Sequence, residues 1–167
     1  THAVPSARFA ELEAALIEAR EVKPVLDAFH APPETASLAP RIAAIDRLFS
    51  APSVDEILSQ LDAEQGDMAD FAAKAARAIR GKSPLSVTIA LHQMRMGRDL
   101  SFNDAMVMEY RIVSRVLAGH DFYEGIRAVI VDKDNHPRWR PSSLSGVDPA
   151  DVASHFAPPE TGDLKIR

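Results

Sequence analysis

A chain of 167 residues, 46% apolar and 26% charged, can bury roughly two-thirds of the surface its unfolded form exposes, so one globular domain is expected and disorder is excluded. The formal charge of -5 at pH 7 argues against a nucleic-acid protein built on a basic surplus, and no apolar run approaches the roughly 20 residues of a membrane span. The absence of cysteine removes disulfides, thiolate catalysis and cysteine-ligated zinc, and fits a reducing compartment.

The chain opens Thr1-His2-Ala3-Val4-Pro5-Ser6, with no initiator methionine and no leader-like layout, so a piece of a longer polypeptide is expected. A first helix is predicted from about Ser6, with Phe9, Leu12, Leu16 and Ala19 on one face and Glu11, Glu13 and Glu18 toward water. A short second helix begins near Pro24 and carries Val25, Leu26 and Phe29, before the prolines of "HAPPETASLAP" impose a loop. A third, roughly 38 to 49, presents Ile42, Ile45, Leu48 and Phe49 to a core. Ser53-Val54-Asp55-Glu56 has the spacing of a capping box, in which the Ser53 hydroxyl accepts from the Glu56 amide and the Glu56 carboxylate reaches the Ser53 amide. The stretch 67 to 81 runs from an acidic first turn to a basic last turn and stops at Gly81. Ser83-Pro84 and Ser101 open two further helices, reaching about Gly97 and Gly119. Asp121, as cap, with Glu124 three residues on, opens a helix to about 132, and Asp148-Pro149 opens a last short one carrying Val152 and Phe156. "AVIVD", 128 to 132, is the one run where a strand competes, and it reads as helical because β-branching costs a helix only tenths of a kcal/mol per residue. The fold class is all-α, with about seven to nine helices and short turns in a single helical domain 1–167, of which 137–167 is mostly a loop tail with one short helix.

None of the six histidines shares a three- or four-residue helical spacing with another, so no metal site is expected. Ser114, His120 and Asp121 could form a nucleophilic set, but no glycine-rich turn offers an oxyanion pocket. Met94, Met96, Met106 and Met108 read as core, and Tyr110 as a half-buried helix contact. Around 121 the residues are more specific: Glu124 and Arg127 share a helix side, and Gly125 allows close approach of another backbone. Beyond, Lys133, His136, Arg138 and Arg140 gather about Trp139, as a set that could hold a stacked base and its phosphates or as a solvated basic cluster.

The motifs "SPLSVTIALHQ" (83–93), "MEYR" (108–111), "GHDFYEGIRAVIVDKDNHPRWRP" (119–141) and the ending His155-Phe156 with Asp163-Leu164-Lys165, together with the weaker "SVDEIL" (53–58), occur in one order. In that order they resemble the C-terminal region of the 3-hydroxyisobutyryl-CoA hydrolase family of the crotonase (enoyl-CoA hydratase/isomerase) superfamily. Thr1-His2 is similar to the pair that follows this family's last catalytic helix.

The resemblance implies the C-terminal helical part of an acyl-CoA thioester hydrolase of valine catabolism. Such a part packs against an N-terminal crotonase domain, helps cover the acyl-CoA pocket and often joins subunits as a homo-oligomer. The two backbone amides that polarise the thioester and the acidic proton-transfer residues lie upstream in this family, so no catalytic residue carries over to this chain. An aromatic residue and a lysine of this region lie near the adenine of CoA in related crotonases. The positions that match are Phe122 and Lys133, with Arg127 a third CoA-binding candidate, although Asp134 stands where the commoner ending has a second basic residue. No cofactor beyond acyl-CoA as substrate is implied, and neither a nucleic-acid nor a membrane partner. The location implied is cytoplasmic in bacteria or the mitochondrial matrix in eukaryotes. An enoyl-CoA hydratase or isomerase, and a non-catalytic helical interaction module, stand as alternatives.

Overall fold

The computed structural model of the chain describes residues 2–33, 36 and 38–166. Among them the chain is all-α, with nine α-helices joined by short turns and no strand. None of these helices is long and apolar enough to cross a membrane. Where composition leads to one domain, the described residues gather into two compact units, one ending at Ile45 and the other beginning at Asp46.

In the first unit a 3-10 turn, Ser6–Arg8, leads into α1 (Phe9–Glu18), and α2 (Val22–Phe29) packs on it. Leu12, Leu16 and Ala19 are half-buried while Glu11, Glu13 and Glu18 face water, as the periodicity requires. Phe9 is 55% exposed, and Arg8 instead places its guanidinium over the Phe29 ring, 4.2 Å from the centroid. His2 bonds Asp27 at 2.7 Å, and the Ala3 amide donates to His30 Nδ1. Thr1 of the opening pair, like Glu34, Thr35 and Ser37 of the proline loop, lies outside the described residues. After a 3-10 turn, Ala39–Arg41, the third helix is shorter than its periodicity suggests: α3 (Ile42–Leu48) buries Leu48 but leaves Ile42 54% exposed.

The second unit holds two cores. The first joins Leu48 to Val54, Ile57, Leu58 and Leu61 of α4 (Val54–Ala63) and to Ala72 and Ala76 of α5 (Ala69–Arg80). Alanines on α5 let the two helices approach closely, and Phe49, Phe71 and Ile79 close the edges. The second places Ile89 of α6 (Pro84–Gly97) against Met108 and Ile112 of α7 (Phe102–Val116) and Val152 of α9 (Pro149–Ser154). Helix starts follow the predicted hydroxyls and carboxylate: Ser53, Ser83, Ser101 and Asp148 each accept an amide of the first turn. At Ser53 the Glu56 carboxylate takes the serine hydroxyl, 3.0 Å, rather than the serine amide.

Between α7 and α9 the chain departs from prediction. Gly119, not Asp121, caps α8 (His120–Ile126), which continues as a π-helical turn, Arg127–Val131, closed by the Asp132 amide on the Arg127 carbonyl. "AVIVD" is thus helical, but its apolar residues are not all covered. Ala128 is fully buried and Ile126 half-buried, whereas Val129 and Ile130 are 59% and 64% exposed. Of Met94, Met96, Met106 and Met108, all read as core, the first three are exposed, Met94 at 76%, and only Met108 enters a core.

Candidate functional site

The stretch 119–141 forms a bracket around one half-buried arginine fork. α8 brings Glu124 and Arg127 to the same side, three residues apart, and the two pair bidentately at 2.8 and 2.9 Å. The π turn ends just beyond, so Asp132 and Asp134 come back over the same guanidinium: Arg127 Nη1 donates to both at 2.6 and 2.7 Å. Nη2 also reaches the His136 carbonyl. Glu124 in turn accepts the Arg138 amide at 2.7 Å. Beside this cation the Glu124 carboxyl is held down to about 2, first by Arg127 and then by the Arg138 amide. Asp134 is lowered by Arg127 and by the His136 amide.

Lys133 and Asn135, on either side of Asp134, both take φ of +55°, in the left-handed region. Asparagine visits that region routinely and lysine does not, so the bracket holds Lys133 in a conformation it would not choose. The Lys133 side chain is exposed, and among the described residues its ammonium has no hydrogen-bond or ion-pair partner. Phe122 is 39% exposed at the other end of the helix, edge-on to Tyr123 with centroids 5.3 Å apart. At about 1.5 Å per residue, it and Lys133 stand on the order of 15 Å apart along the axis. Arg127, the third candidate, sits between them with its charge already taken by three carboxylates.

Trp139 is held differently from the predicted cation-aromatic stack. Its ring lies against Gly125, where a Cβ would stand 3.4 Å from the ring, and its Nε1 donates to the Gly81 carbonyl at 3.3 Å. The absence of a side chain at Gly125 is what admits the indole. Asp121, freed from capping, accepts the Ser83 hydroxyl at 2.5 Å, the Arg140 amide at 2.9 Å and His120 Nδ1 at 2.9 Å. These bonds tie the start of α6 and the 138–140 segment to α8. The imagined nucleophilic set is not assembled, because Ser114 donates to the Tyr110 carbonyl within α7. Arg111 of "MEYR" turns away from Glu109 and pairs bidentately with Asp163 at 2.7 Å, pinning the tail and lowering the Asp163 carboxyl. Among the described residues no histidine, aspartate and glutamate group has metal-binding geometry. A cleft of about 450 Å³ opens between α4, α5, α6 and 142–145, and none of Phe122, Arg127 or Lys133 lines it.

The acid response of the bracket follows from the Glu124 shift. A carboxyl depressed on folding from 4.5 to about 2 contributes stability that is fully present above the unfolded value and is lost as pH falls through the folded one. Emission from Trp139, the only tryptophan, should therefore hold steady on acidification to about pH 4 and shift red only between about 4 and 2. Glu124→Gln should show the red-shifted spectrum already at neutral pH. A transition centred near 4.5 in the parent would assign Glu124 an ordinary, unpaired environment.

Sequence reasoning found the Glu124–Arg127 pair from its spacing but missed Asp132 and Asp134, whose approach depends on the return of the chain after the π turn. The signal available was two aspartates separated by one residue, downstream of an arginine already on a charged face.

The family model described as enoyl-CoA hydratase/isomerase matches residues 1–156. Mitochondrial 3-hydroxyisobutyryl-CoA hydrolase of Danio rerio is 36% identical over 99% of this chain and 45% of its own length, and that of Homo sapiens is 34% identical with the same coverage. Among solved structures, a carnitinyl-CoA dehydratase from Mycobacterium thermoresistibile matches with a TM-score of 0.86 at 34% identity, covering 96% of this chain and 45% of that one. An enoyl-CoA hydratase from Rhodobacter sphaeroides matches with a TM-score of 0.79 at 36% identity, covering 98% and 46%. The chain thus spans a little under half the length of the curated relatives it matches.

Proposed function

Because the chain belongs to the enoyl-CoA hydratase/isomerase family, we propose that it is the C-terminal helical part of an acyl-CoA thioester hydrolase acting on 3-hydroxyisobutyryl-CoA in valine catabolism. The observation that carries this reading is the match of nearly the whole chain to the 3-hydroxyisobutyryl-CoA hydrolases. No residue here is assigned to the chemical step. The part played by this chain is to cover the coenzyme A portion of the substrate, to pack on an N-terminal crotonase domain and to aid subunit contact, in the mitochondrial matrix or the bacterial cytoplasm. The exposed apolar residues Tyr123, Val129, Ile130 and Val131 support a packing role. Phe122 offers a ring edge to the adenine, and Lys133 offers a cation to a phosphate.

A second reading, an enoyl-CoA hydratase type of enzyme, is favoured by the two solved structures, a dehydratase and a hydratase of comparable identity. The full-length protein separates them: incubation with 3-hydroxyisobutyryl-CoA should release free thiol, whereas hydration of a 2-enoyl-CoA without thiol release would establish the second reading. In the same assay Lys133→Ala should raise KM by about three- to thirtyfold, the effect of about 0.7 to 2 kcal/mol from an exposed charged hydrogen bond. kcat should stay within about twofold, since a contact to the distant phosphate is equal in ground and transition states. Added salt should narrow the difference by screening the contact. Unchanged KM with a lowered Tm would reduce Lys133 to a helix-end charge.

A further inference from the structure

Lys133 lies between two carboxylates in sequence, Asp132 and Asp134. A flexible ammonium beside two acids is ordinarily captured by one of them, and a captured ammonium is a poor partner for a third anion. Here both acids are turned to another cation. Asp132 and Asp134 both accept from Arg127 Nη1, at 2.6 and 2.7 Å, while the rest of the same planar fork is taken by Glu124. The positive φ at Lys133 and Asn135 turns the chain so that both carboxylates point at the arginine. Among the described residues the lysine ammonium is left without a partner.

We infer that Arg127 is a positioning residue for Lys133: by occupying Asp132 and Asp134 it keeps the Lys133 ammonium free for a phosphate of coenzyme A. This rests on the reading of Lys133 as a coenzyme A contact. It assigns Arg127 a different part from the direct contact implied by family resemblance. Arg127 need not touch the substrate. Its charge offsets part of the carboxylate charge that would otherwise hold the lysine and repel the phosphate.

The test uses the full-length protein, with coenzyme A binding measured by calorimetry at low salt and kcat and KM measured for the acyl-CoA substrate. Arg127→Met should weaken coenzyme A binding by about three- to thirtyfold with little change in kcat, matching Lys133→Ala in size, because the freed carboxylates take the ammonium. The triple variant Arg127→Met/Asp132→Asn/Asp134→Asn should recover most of that affinity, since neither neighbouring carboxylate is then left to capture Lys133, and Glu124 keeps its bond from the Arg138 amide. Recovery is an outcome that a merely structural arginine would not produce. If Arg127→Met does not fold, Arg127→Lys decides: one ammonium cannot span three carboxylates, and a loss of affinity that Asp134→Asn reverses is expected. Unchanged affinity in the arginine variants, or a triple variant no tighter than Arg127→Met, overturns the positioning role and leaves Lys133 as a contact. Unchanged affinity in Lys133→Ala overturns both, because the coenzyme A contact itself is then absent.

Discussion

Leu61→Ala is expected to lower the free energy of unfolding by about 3 to 4 kcal/mol, the cost of removing a buried leucine from a site that cannot collapse around the gap. Leu61 is 1% exposed and meets both helices of the first core, where Ala72 and Ala76 already hold α4 and α5 close together. The alanines of the facing helix offer no side chain long enough to swing into the space. Leu48→Ala should behave alike, since Leu48 is 0% exposed in the same cluster. Ile17→Ala, at a residue 73% exposed, serves as the contrast and should change stability by less than about 0.5 kcal/mol. Urea unfolding followed by circular dichroism measures all three. A loss below about 1 kcal/mol for Leu61→Ala would mean that α4 and α5 do not form the stable centre of this unit.

Asp121→Ala should cost about 2 to 3 kcal/mol, although the residue looks from its sequence position like an ordinary helix-start acid. Its two oxygens serve three donors from three places: the hydroxyl of Ser83, the amide of Arg140 and the ring of His120. Ser83 is 4% exposed, so removal of the acceptor leaves its hydroxyl with little access to water. Asp121→Asn keeps one acceptor oxygen and should cost about half as much. Thermal unfolding gives the size of the effect, and amide exchange at Arg140 gives its cause: exchange there should accelerate well beyond that at Asp148-capped α9. Equal acceleration in both places would point to a general loss of stability rather than to the lost tie.

The starts of helices were the most legible feature of the sequence, because a hydroxyl or carboxylate at the cap acts on amides two or three residues away. Ser53, Ser83, Ser101 and Asp148 all accept a first-turn amide as read, although Glu56 takes the Ser53 hydroxyl rather than its amide. Asp121 shows where that reasoning fails. Its spacing to Glu124 is that of a capping box, yet both acids serve distant amides, Arg140 and Arg138. Local spacing carries no information about which remote donors arrive. The same holds for faces. Periodicity marks Phe9, Ile42, Val129 and Ile130 as apolar positions, but whether an apolar position is covered depends on the length of each helix and on the turn type at 127–131. Of the candidate site, the Glu124–Arg127 pair was readable from three-residue spacing. The two further aspartates on Arg127 were not, because they depend on a left-handed turn at a lysine, a conformation that residue propensity opposes.

The π-helical turn makes the position of the Lys133 charge a matter of counting. Such a turn spends one more residue on its circuit than an α-helix does, and each residue of an α-helix advances the chain by about 100°. Deleting a single residue between Arg127 and Val131 would close an ordinary α turn on the same Arg127 carbonyl and leave Asp132 and Asp134 facing nearly as they do now. Adding one has no such outlet: a further residue swings everything beyond by about that angle and carries Asp132 and Asp134 away from the Arg127 fork. Substitutions at the exposed Val129, Ile130 and Val131 leave this phase untouched. The segment is therefore permissive in composition and asymmetric in length, so its history should record exchanged residues and an occasional lost one, but very few insertions.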